Sequence, residues 1–329
     1  MHPHGIQLVN EKGGKRGFVD FKVVDGRPCL EDLWIMQGSL CDLRCKHCYT
    51  ASSPLNNRLQ QIAFEELKPH LDEAASFGVR KIYFTGGEVF VNEAVLRGGA
   101  SRNEDFLRNL SYALEIAPVE ILTNGRRHIR DHFSVLAELR AKHGSRLSIR
   151  ITLESPEPSR HDAIRGRGTF AQTVENIREL AGAGFVPIIT AERPLLAMQS
   201  DDEIRQSYQA LFPNIAIEVN LIENLIESGH QIQRLTGLGA TPAPEVFVTT
   251  SCFGVLQKPA ESLMCHFSRC IQKIDGSLRY YPCPVIYDDE RFDLGPTLQA
   301  SFQRVHIGHK SCFDYCLKGR GGSCRTHPV

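Results

Sequence analysis

Short apolar runs alternate along the chain with segments in which apolar residues recur every three to four positions. The runs are rich in Ile, Val, Tyr and Phe, which is typical of buried parallel strands. They are Leu33–Met36, Lys81–Thr85, Val119–Thr123, Leu147–Leu153, Val186–Thr190 and Ile215–Leu221. The segments between them predict helices with one apolar face. Three such faces consist of Phe64, Leu67, Leu71 and Ala74, of Phe106, Leu110 and Ala113, and of Phe170, Val174, Ile177 and Ala181.

A strand followed by a helix repeats about six times, which predicts an α/β fold with a parallel sheet. The sheet is either curved into a partial barrel or flat and doubly wound, and periodicity does not separate the two. In both folds, ligands bind at the carboxyl ends of the strands. Thr169, with Gln172 three residues later, predicts a capping box at the start of the third helix.

The segments on either side of this repeat have different patterns. Asp25-Gly26, between Phe18–Val24 and Arg27–Leu30, predicts a small hairpin. A second hairpin is predicted over Ile271–Pro282, with its turn at Asp275-Gly276. Gly, Thr and Pro accumulate over Gly229–Pro244, where we place a boundary. The predicted units are therefore an N-terminal extension (1–32), a strand–helix unit (33–235) and a Cys-rich C-terminal unit (236–329).

Composition and charge narrow the class of protein. The chain has 329 residues, is 42% hydrophobic and has a formal net charge of zero, which gives no electrostatic reason to expect nucleic acid or an anionic membrane as a partner. No apolar run approaches the ~18 residues of a membrane span. The first fifteen residues lack the apolar stretch of a signal peptide. We therefore expect a cytoplasmic protein with no nucleic-acid or membrane partner.

The eleven cysteines fall into groups. Three lie within Cys41–Cys48, seven lie between Cys252 and Cys324, and Cys29 stands alone. Disulfide frameworks belong mainly to small secreted domains, so clustered thiols in a reducing compartment are better explained as metal ligands.

The first group has the spacing Cys41-x3-Cys45-x2-Cys48 and directly follows the first strand. Three thiolates can bind three irons of a 4Fe–4S cluster and leave the fourth iron open to a small molecule. An electron-transfer cluster needs a fourth nearby cysteine, and the next one is Cys252. A zinc site using His47 is disfavoured because this histidine lies between two ligand positions and would crowd adjacent residues onto one ion.

A second motif, Thr85-Gly86-Gly87-Glu88, ends the second strand. Glycines allow the backbone to approach a ligand, and a carboxylate pairs with an ammonium group. In this order, the two motifs resemble those of the radical S-adenosylmethionine (SAM) superfamily. The resemblance implies a partial (βα)6 barrel, SAM as cofactor, and a catalytic 4Fe–4S cluster that generates a 5′-deoxyadenosyl radical. It also implies an electron donor such as flavodoxin or ferredoxin.

The resemblance assigns expected roles to the residues at the strand ends. Glu88 and the backbone of Gly86 and Gly87 receive the amino group of SAM, and Asn124 lies near its ribose. Arg165, with Thr152 or Ser155, holds the SAM carboxylate. Glu154 stands where the family commonly has a shorter Asp, so we expect it to contact the substrate. The full set of candidate SAM-binding residues is Tyr49, Gly86, Gly87, Glu88, Asn124, Thr152, Ser155 and Arg165.

The C-terminal cysteines resemble the twitch domain, a shortened SPASM domain that holds an auxiliary 4Fe–4S cluster. This resemblance implies one auxiliary cluster with Cys270, Cys283, Cys312 and Cys316 as ligands, and Cys265 as the substitute if one of these four is wrong. A structural zinc site remains open, because four thiolates also suit zinc.

Size and layout resemble those of twitch dehydrogenases and epimerases of aminoglycoside and aminocyclitol biosynthesis. An auxiliary cluster that accepts an electron gives oxidation of an alcohol, whereas a thiol hydrogen donor gives epimerisation. We expect oxidation, with Cys252, Cys265 and Cys324 as the thiols that epimerisation would need. Strand-end acids suit a polyol bearing ammonium groups, although solvated acids are equally compatible with the pattern. The candidate substrate-side residues are Glu154, Glu192, Glu218, Glu223, Cys252 and Cys265.

Two other functions remain open. Radical SAM peptide maturases of the SPASM type often carry an N-terminal leader-binding domain, and only about thirty residues precede the first strand here, so we expect a small-molecule substrate ahead of a peptide. A non-enzymatic iron–sulfur carrier or zinc-binding module is disfavoured by the missing fourth cysteine and by the Gly-Gly-Glu and Arg165-Gly166 motifs.

Overall fold

The computed structural model describes residues 6–193, 199–222 and 245–317. The predicted boundary at Gly229–Pro244, Glu223 and Cys324 lie outside these residues. The strands are β1 (Phe18–Val19), β2 (Val23–Val24), β3 (Arg27–Pro28), β4 (Asp32–Met36), β5 (Lys81–Thr85), β6 (Val119–Thr123), β7 (Leu147–Thr152), β8 (Ile188–Glu192), β9 (Glu218–Ile222), β10 (Ser268–Ile274), β11 (Ser277–Tyr281) and β12 (Val305–His306).

The helices connect the strands in the order that the periodicity predicts. They are α1 (Phe64–Ser76), α2 (Glu93–Leu96), α3 (Glu104–Ile116), α4 (Phe133–His143), α5 (Pro158–Arg165), α6 (Thr169–Gly182), α7 (Asp201–Leu211), α8 (Thr250–Val255) and α9 (Leu298–Ser301), followed by a π-helix at Cys312–Leu317. Within the described ranges, no helix combines the length and apolar character needed to cross a membrane.

One sheet of eight strands forms the centre of the molecule, in the order β11-β10-β4-β5-β6-β7-β8-β9. Strands β4 to β9 are parallel to one another, each next to its neighbour in the sequence. The predicted α/β class is therefore confirmed. Strand β8 begins later than predicted, at Ile188, directly after Pro187, which has no backbone N–H to donate.

Both predicted hairpins are present. Val23–Val24 pairs with Arg27–Pro28 across Asp25 and Gly26, whose φ angles are 50° and 75°. Asp275 and Gly276, with φ angles of 49° and 80°, connect β10 to β11. Asp-Gly is favoured at such turns because both central residues have positive φ.

The position of the second hairpin was not expected. Strand β10 pairs in parallel with β4, from Ser268 opposite Asp32 to Ile271 opposite Ile35. The Cys-rich segment therefore extends the main sheet at its first parallel strand. Since a hairpin added to the main sheet and a hairpin in a separate small sheet have the same alternation of side chains, the sequence did not distinguish them.

The helical faces are largely as predicted, but the capping box is wrong. Leu67, Leu71 and Ala74 of α1 and Phe106, Leu110 and Ala113 of α3 are buried. The N-cap of α6 is Gly168, and its side-chain partner is Asp162, which accepts from the backbone N–H groups of Gly168 (2.6 Å) and Phe170 (2.9 Å). Gln172 instead accepts from Nε of Arg126. A carboxylate from the preceding helix thus takes the place of the local cap.

Candidate active site

A cavity lies at the carboxyl ends of the parallel strands, and every strand from β4 to β9 contributes to its wall. The strand residues that line it are Trp34, Thr85, Leu122, Thr123, Arg150, Thr152, Thr190, Glu192 and Ile222. The C-terminal segment closes one side through Pro284, Val285 and Tyr315. The cavity therefore lies where the sequence predicts ligands to bind.

Cys41, Cys45 and Cys48 all line this cavity and pack together with Leu43. Burial, together with the negative charges of Asp42 and Glu88, raises the pKa of Cys41 well above its ordinary value. The backbone N–H of Leu43 lies 3.4 Å from the Cys41 sulfur. Since an unliganded buried thiolate is unfavourable, the donor set fits an iron–sulfur cluster that stabilises the deprotonated form.

The loop that carries these cysteines is held by the Gly-Gly-Glu motif. The backbone N–H of Gly87 donates to Gly38 O (2.8 Å), and that of Glu88 donates to Leu40 O (2.9 Å). A Cβ atom on Gly87 would lie 2.0 Å from Leu40 O, and one on Gly86, whose φ is +144°, would lie 2.5 Å from Gly38 O. Both glycines also line the cavity. They are required here by the close approach of two backbone segments.

Glu88 itself lies behind the cavity wall. Its Oε1 accepts from Oγ1 of Thr123 (2.7 Å) and its Oε2 from the backbone N–H of Asn124 (2.7 Å). Burial raises the pKa of Glu88 to about 7, although these hydrogen bonds favour the ionised form. The carboxylate joins the end of β5 to the end of β6. Its predicted contact with the SAM amino group stays a prediction, since Glu88 is not among the described residues lining the cavity.

Asn124 continues this bracing to the cysteine loop. Its Nδ2 donates to Oδ1 of Asp42 (2.8 Å), and Arg126 Nη1 lies 3.3 Å from Oδ2 of the same residue. Asn124 also lines the cavity, and its expected place near the SAM ribose stays a prediction.

Glu154 and Arg165, two predicted site residues, meet as a buried ion pair on the cavity wall. Arg165 Nε donates to Glu154 Oε1 at 2.7 Å, and His47 Nε2 lies 3.1 Å from the same oxygen. Burial alone would raise the pKa of Glu154, but His47 and Arg165 outweigh it and hold this pKa far below its ordinary value. The negative charges of Cys45 and Glu154 raise the pKa of Arg165 against the effect of burial. Glu154 is therefore a carboxylate, and Arg165 lies within electrostatic reach of the cysteine loop.

Of the remaining predicted SAM-binding residues, two line the described cavity and one does not. Thr152 and Tyr49 line the cavity, and the carbonyl of Tyr49 accepts from the hydroxyl of Tyr287 at 2.9 Å. Ser155 Oγ accepts from the backbone N–H of Glu157 (3.1 Å). Ser155 does not belong to the described cavity lining, so Thr152 is the better placed of the two alternatives.

The candidate substrate-side residues also differ in whether they line the cavity. Glu192 lines the cavity and is 4% exposed. Glu218 lies opposite Ile188 in the pairing of β8 with β9, and Cys252 Sγ lies 3.4 Å from the backbone N of Thr249 in the first turn of α8. Neither is found in the described part of the cavity wall.

The polar cavity residues that the sequence analysis missed include two without a hydrogen-bond partner among the described residues. Trp34 Nε1 and Thr190 Oγ1 are buried and, within the described residues, have no hydrogen-bond partner. Trp34 stacks on Tyr83 with ring centroids 4.1 Å apart. Both lie on predicted strands, where alternation offered the only signal, and a Trp or Thr in a buried strand is usually a packing residue.

The described C-terminal cysteines are mostly buried. Cys265, Cys270, Cys283 and Cys312 are at most 8% exposed, whereas Cys316 is half-buried. Burial raises the pKa of Cys265 to about 12, with a further contribution from Cys283. Burial and Cys283 also raise the pKa values of Cys270 and Cys312. Cys283 is thus within electrostatic reach of each of the other three thiols, although no group of three or more His, Cys, Asp and Glu side chains among the described residues is arranged to hold a single metal ion.

Comparison with known proteins identifies the family. A model described as the Radical SAM superfamily matches residues 37–211, a range that includes the three cysteines, the Gly-Gly-Glu motif and Arg165. The chain belongs to the radical SAM superfamily. It is therefore an enzyme of a family that uses SAM and a 4Fe–4S cluster, and the resemblance in the motifs is confirmed at this level.

Two curated relatives have names that describe different activities. The antilisterial bacteriocin subtilosin biosynthesis protein AlbA of Bacillus subtilis (strain 168) is 32% identical over 146 residues, which are 44% of this chain and 29% of AlbA. A GTP 3′,8-cyclase of Alkaliphilus metalliredigens is 26% identical over 185 residues, which are 56% of this chain and 53% of the cyclase. The chain thus matches about half or less of each relative's length.

Solved structures support the fold. Streptococcus suis SuiB bound to S-adenosylmethionine matches with a TM-score of 0.54 at 15% identity, over 80% of this chain and 63% of SuiB. SuiB bound to the precursor peptide SuiA matches with a TM-score of 0.56 at 13% identity, over 84% of this chain and 65% of SuiB. Native anSMEcpe with bound AdoMet matches with a TM-score of 0.53 at 14% identity, over 88% of this chain and 82% of that one.

Proposed function

We propose that this chain is a radical SAM enzyme that holds its catalytic 4Fe–4S cluster with Cys41, Cys45 and Cys48 and modifies a peptide. The observation that carries the catalytic part is one cavity lined by these three thiols, Asn124 and the Glu154–Arg165 pair. Bound there, the cluster and SAM supply a 5′-deoxyadenosyl radical that removes a hydrogen atom from the substrate. The residues of the chain bind the cluster and SAM, orient the substrate and exclude water.

The contribution of Arg165 is to bind the SAM carboxylate. A guanidinium carries five N–H donors, and the contact with Glu154 uses only Nε. The other N–H donors of Arg165 therefore remain for a second carboxylate. The contact with Glu154 fixes the orientation of the guanidinium plane. Thr152, Tyr49, Gly86, Gly87 and Asn124 complete the proposed SAM contacts from the same cavity.

The sheet is proposed to be a partial barrel. Support comes from the cavity itself, since all six parallel strands contribute residues to one enclosed wall. A flat sheet would direct the ends of its outermost strands far apart. A sheet curved in this way would hold the cofactor and the substrate near its axis, away from bulk water.

An auxiliary metal centre in the C-terminal segment is the second part of the proposal. The thiols of Cys265, Cys270, Cys283 and Cys312 are each buried, and Pro284, which follows Cys283, lines the cavity. Electron transfer to or from a substrate radical is thus compatible with the layout. Flavodoxin or ferredoxin is the proposed external electron donor.

The peptide class is supported by the relatives. AlbA is named for biosynthesis of a bacteriocin, and SuiB was solved with its precursor peptide. Oxidation of a sugar or aminocyclitol is the second candidate, because Glu192 presents a buried carboxylate to the cavity. Epimerisation has less support, since Cys252 lies outside the described cavity lining and Cys265 lies among the C-terminal thiols.

The test is production of 5′-deoxyadenosine by the reduced, reconstituted protein with SAM, first alone and then with panels of peptides or aminocyclitols. We expect basal cleavage of SAM without substrate and increased turnover with peptides. Thr190→Val removes a buried hydroxyl that has no partner among the described residues. It should lower peptide-stimulated turnover. Stimulation by aminocyclitols alone would contradict the peptide class, and no 5′-deoxyadenosine under any condition would contradict the enzyme itself.

A further inference from the structure

Four exposed cations on and beside the cysteine loop have no ion-pair partner among the described residues. Two of them, Arg44 and Lys46, lie on the loop itself and flank Cys45 in the sequence. Arg127 follows the end of β6, and Arg167 lies between α5 and α6. Since the whole chain has a formal net charge of zero, these four residues are a local excess of positive charge.

The segments that carry the last two cations both border the cysteine loop. On one side, Arg126 Nη1 lies 3.3 Å from Oδ2 of Asp42. On the other side, the carbonyl of Ile164 accepts from the backbone N–H of Lys46 at 3.1 Å. The loop and its two neighbours thus form one surface, which we call the basic face and define by Arg44, Lys46, Arg127 and Arg167.

The carboxylates in these segments do not offset the four cations, because they are already engaged. Asp42 contacts Arg126, and Glu157 pairs with Arg160 at 2.9 Å. Asp162 accepts from backbone N–H groups at the start of α6. An acidic protein that approaches this face would therefore meet positive charge that is not neutralised within the described part of the chain.

An exposed apolar side chain lies beside the basic face. Leu55 is 82% exposed, and together with Asp42 and Arg127 it lines a groove on the surface. Asp42 directly follows Cys41, so the cysteine loop forms part of the groove wall. Apolar contact surrounded by polar and charged residues is the usual composition of a protein–protein interface.

We propose that the basic face, with Leu55, is the docking surface for an acidic electron-carrier protein, a flavodoxin or a ferredoxin. This inference rests on the external electron donor proposed above and specifies where it binds. A protein bound here is separated from the proposed catalytic cluster only by the loop that carries the cysteines. One electron passes from the flavin hydroquinone of a flavodoxin, which becomes the semiquinone, to the oxidised cluster, and no covalent bond forms or breaks.

The size and charge of the surface suit such a partner. Electron-transfer complexes are transient and have small interfaces, so a few cations and one apolar contact are sufficient. Complementary charge mainly raises the rate of association. The effect must therefore weaken as salt screens the charges.

The experiment uses the full-length, reconstituted protein and a purified flavodoxin of net negative charge. Equilibrium association is measured by calorimetry, and oxidation of the reduced flavin is followed by stopped-flow absorbance, at about 50 and about 500 mM NaCl. Arg127→Glu with Arg167→Glu reverses two charges of the basic face. Arg80→Glu with Arg146→Glu is the matched control, since these exposed arginines directly precede β5 and β7, at the opposite ends of the strands.

We expect the basic-face variant to weaken association and to lower the second-order rate constant of flavin oxidation about tenfold at the lower salt concentration. The difference should nearly disappear at the higher one. The control variant should stay within about twofold of wild type. Leu55→Ser should weaken association at both salt concentrations, because an apolar contact is not screened. Excess dithionite needs no docking surface, so 5′-deoxyadenosine formed with it should be unchanged in all variants.

The possible failures are distinguishable. No 5′-deoxyadenosine from wild type with dithionite would contradict the proposed enzyme. Normal turnover with dithionite, together with equal flavodoxin association in wild type and the basic-face variant, would overturn the docking surface alone, as would equal losses in the basic-face and control variants. Wild-type flavin oxidation that does not slow with salt would overturn it even if the basic-face variant fails to fold. Tighter binding of duplex DNA than of flavodoxin at about 150 mM NaCl would overturn the class of partner.

Discussion

Glu88 gives a prediction whose sign and size follow from its burial. The pKa of this carboxyl is raised from 4.5 to about 7, mainly by burial. The folded protein therefore keeps the Glu88 proton at pH values where the unfolded chain has lost it. Between pH 4.5 and 7 the folded state binds more protons, so the free energy of unfolding falls as pH rises. The stabilising contribution of the protonated Glu88 carboxyl is fully present below pH 4.5 and is lost above pH 7.

The magnitude follows from the width of this interval. At about 1.36 kcal/mol per pH unit, the interval corresponds to about 3 kcal/mol. Buried histidines act in the opposite direction. The pKa of His161, for example, is lowered to about 4 by burial, so this group adds stability as pH rises. The Glu88 contribution must therefore be measured as a difference from a variant that cannot titrate.

The assay is urea unfolding of the reduced, metal-free chain between pH 4 and 8, for wild type and Glu88→Gln. We expect the free energy of unfolding of the wild type, relative to that of Glu88→Gln, to fall by about 3 kcal/mol as pH rises from 4.5 to 7. Glu138→Gln, an exposed change on α4, is the matched control and should stay within about 0.5 kcal/mol at every pH. A difference curve for Glu88→Gln that is flat, or that slopes the other way, would refute the reasoning.

Two further predictions concern the cysteine loop and the cavity wall. Arg165→Ala leaves Glu154 buried beside His47 alone and removes the proposed partner of the SAM carboxylate. It should weaken SAM binding by about 2–5 kcal/mol in equilibrium titrations, while Arg165→Lys should recover part of that loss; wild-type affinity in the alanine variant would count against the assignment. Gly87→Ala places a Cβ 2.0 Å from Leu40 O and should destabilise the protein by about 1–3 kcal/mol and lower its iron content. Gly182→Ala, which meets no atom within 4 Å, should change neither quantity, and equal effects of the two substitutions would show that the contact is unimportant.

Much of the fold could be predicted because its signals are local. Lys81–Thr85 and Val119–Thr123 match β5 and β6 at both ends, since buried parallel strands are continuous apolar runs bounded by polar residues. Asp275-Gly276 predicted the second hairpin, because its turn needs two residues that adopt a positive φ. The parallel pairing of β10 with β4 was not predictable in this way, because it joins residues more than two hundred positions apart.

The sequence indicated the types of residue at the site better than it indicated which side chains contact one another. The spacing of Cys41, Cys45 and Cys48 identified the loop, and the structure places all three thiols in one cavity. The pairing of Glu154 with Arg165 and His47 depends on how α5 packs over the strand ends, which no short pattern encodes. Glu88 shows the same limit: its residue type suggested a ligand for an amine, whereas its described contacts are with Thr123, Phe90 and Asn124.

The central claim is that Cys41, Cys45 and Cys48 hold the cluster at which SAM is cleaved. The most direct test compares the protein carrying Ala at all three positions with Cys29→Ala, a change at an unclustered, half-buried cysteine. Iron content and 5′-deoxyadenosine are measured after identical anaerobic reconstitution. The triple variant should lose about four irons and all 5′-deoxyadenosine, and Cys29→Ala should keep both. Undiminished 5′-deoxyadenosine from the triple variant would contradict the account.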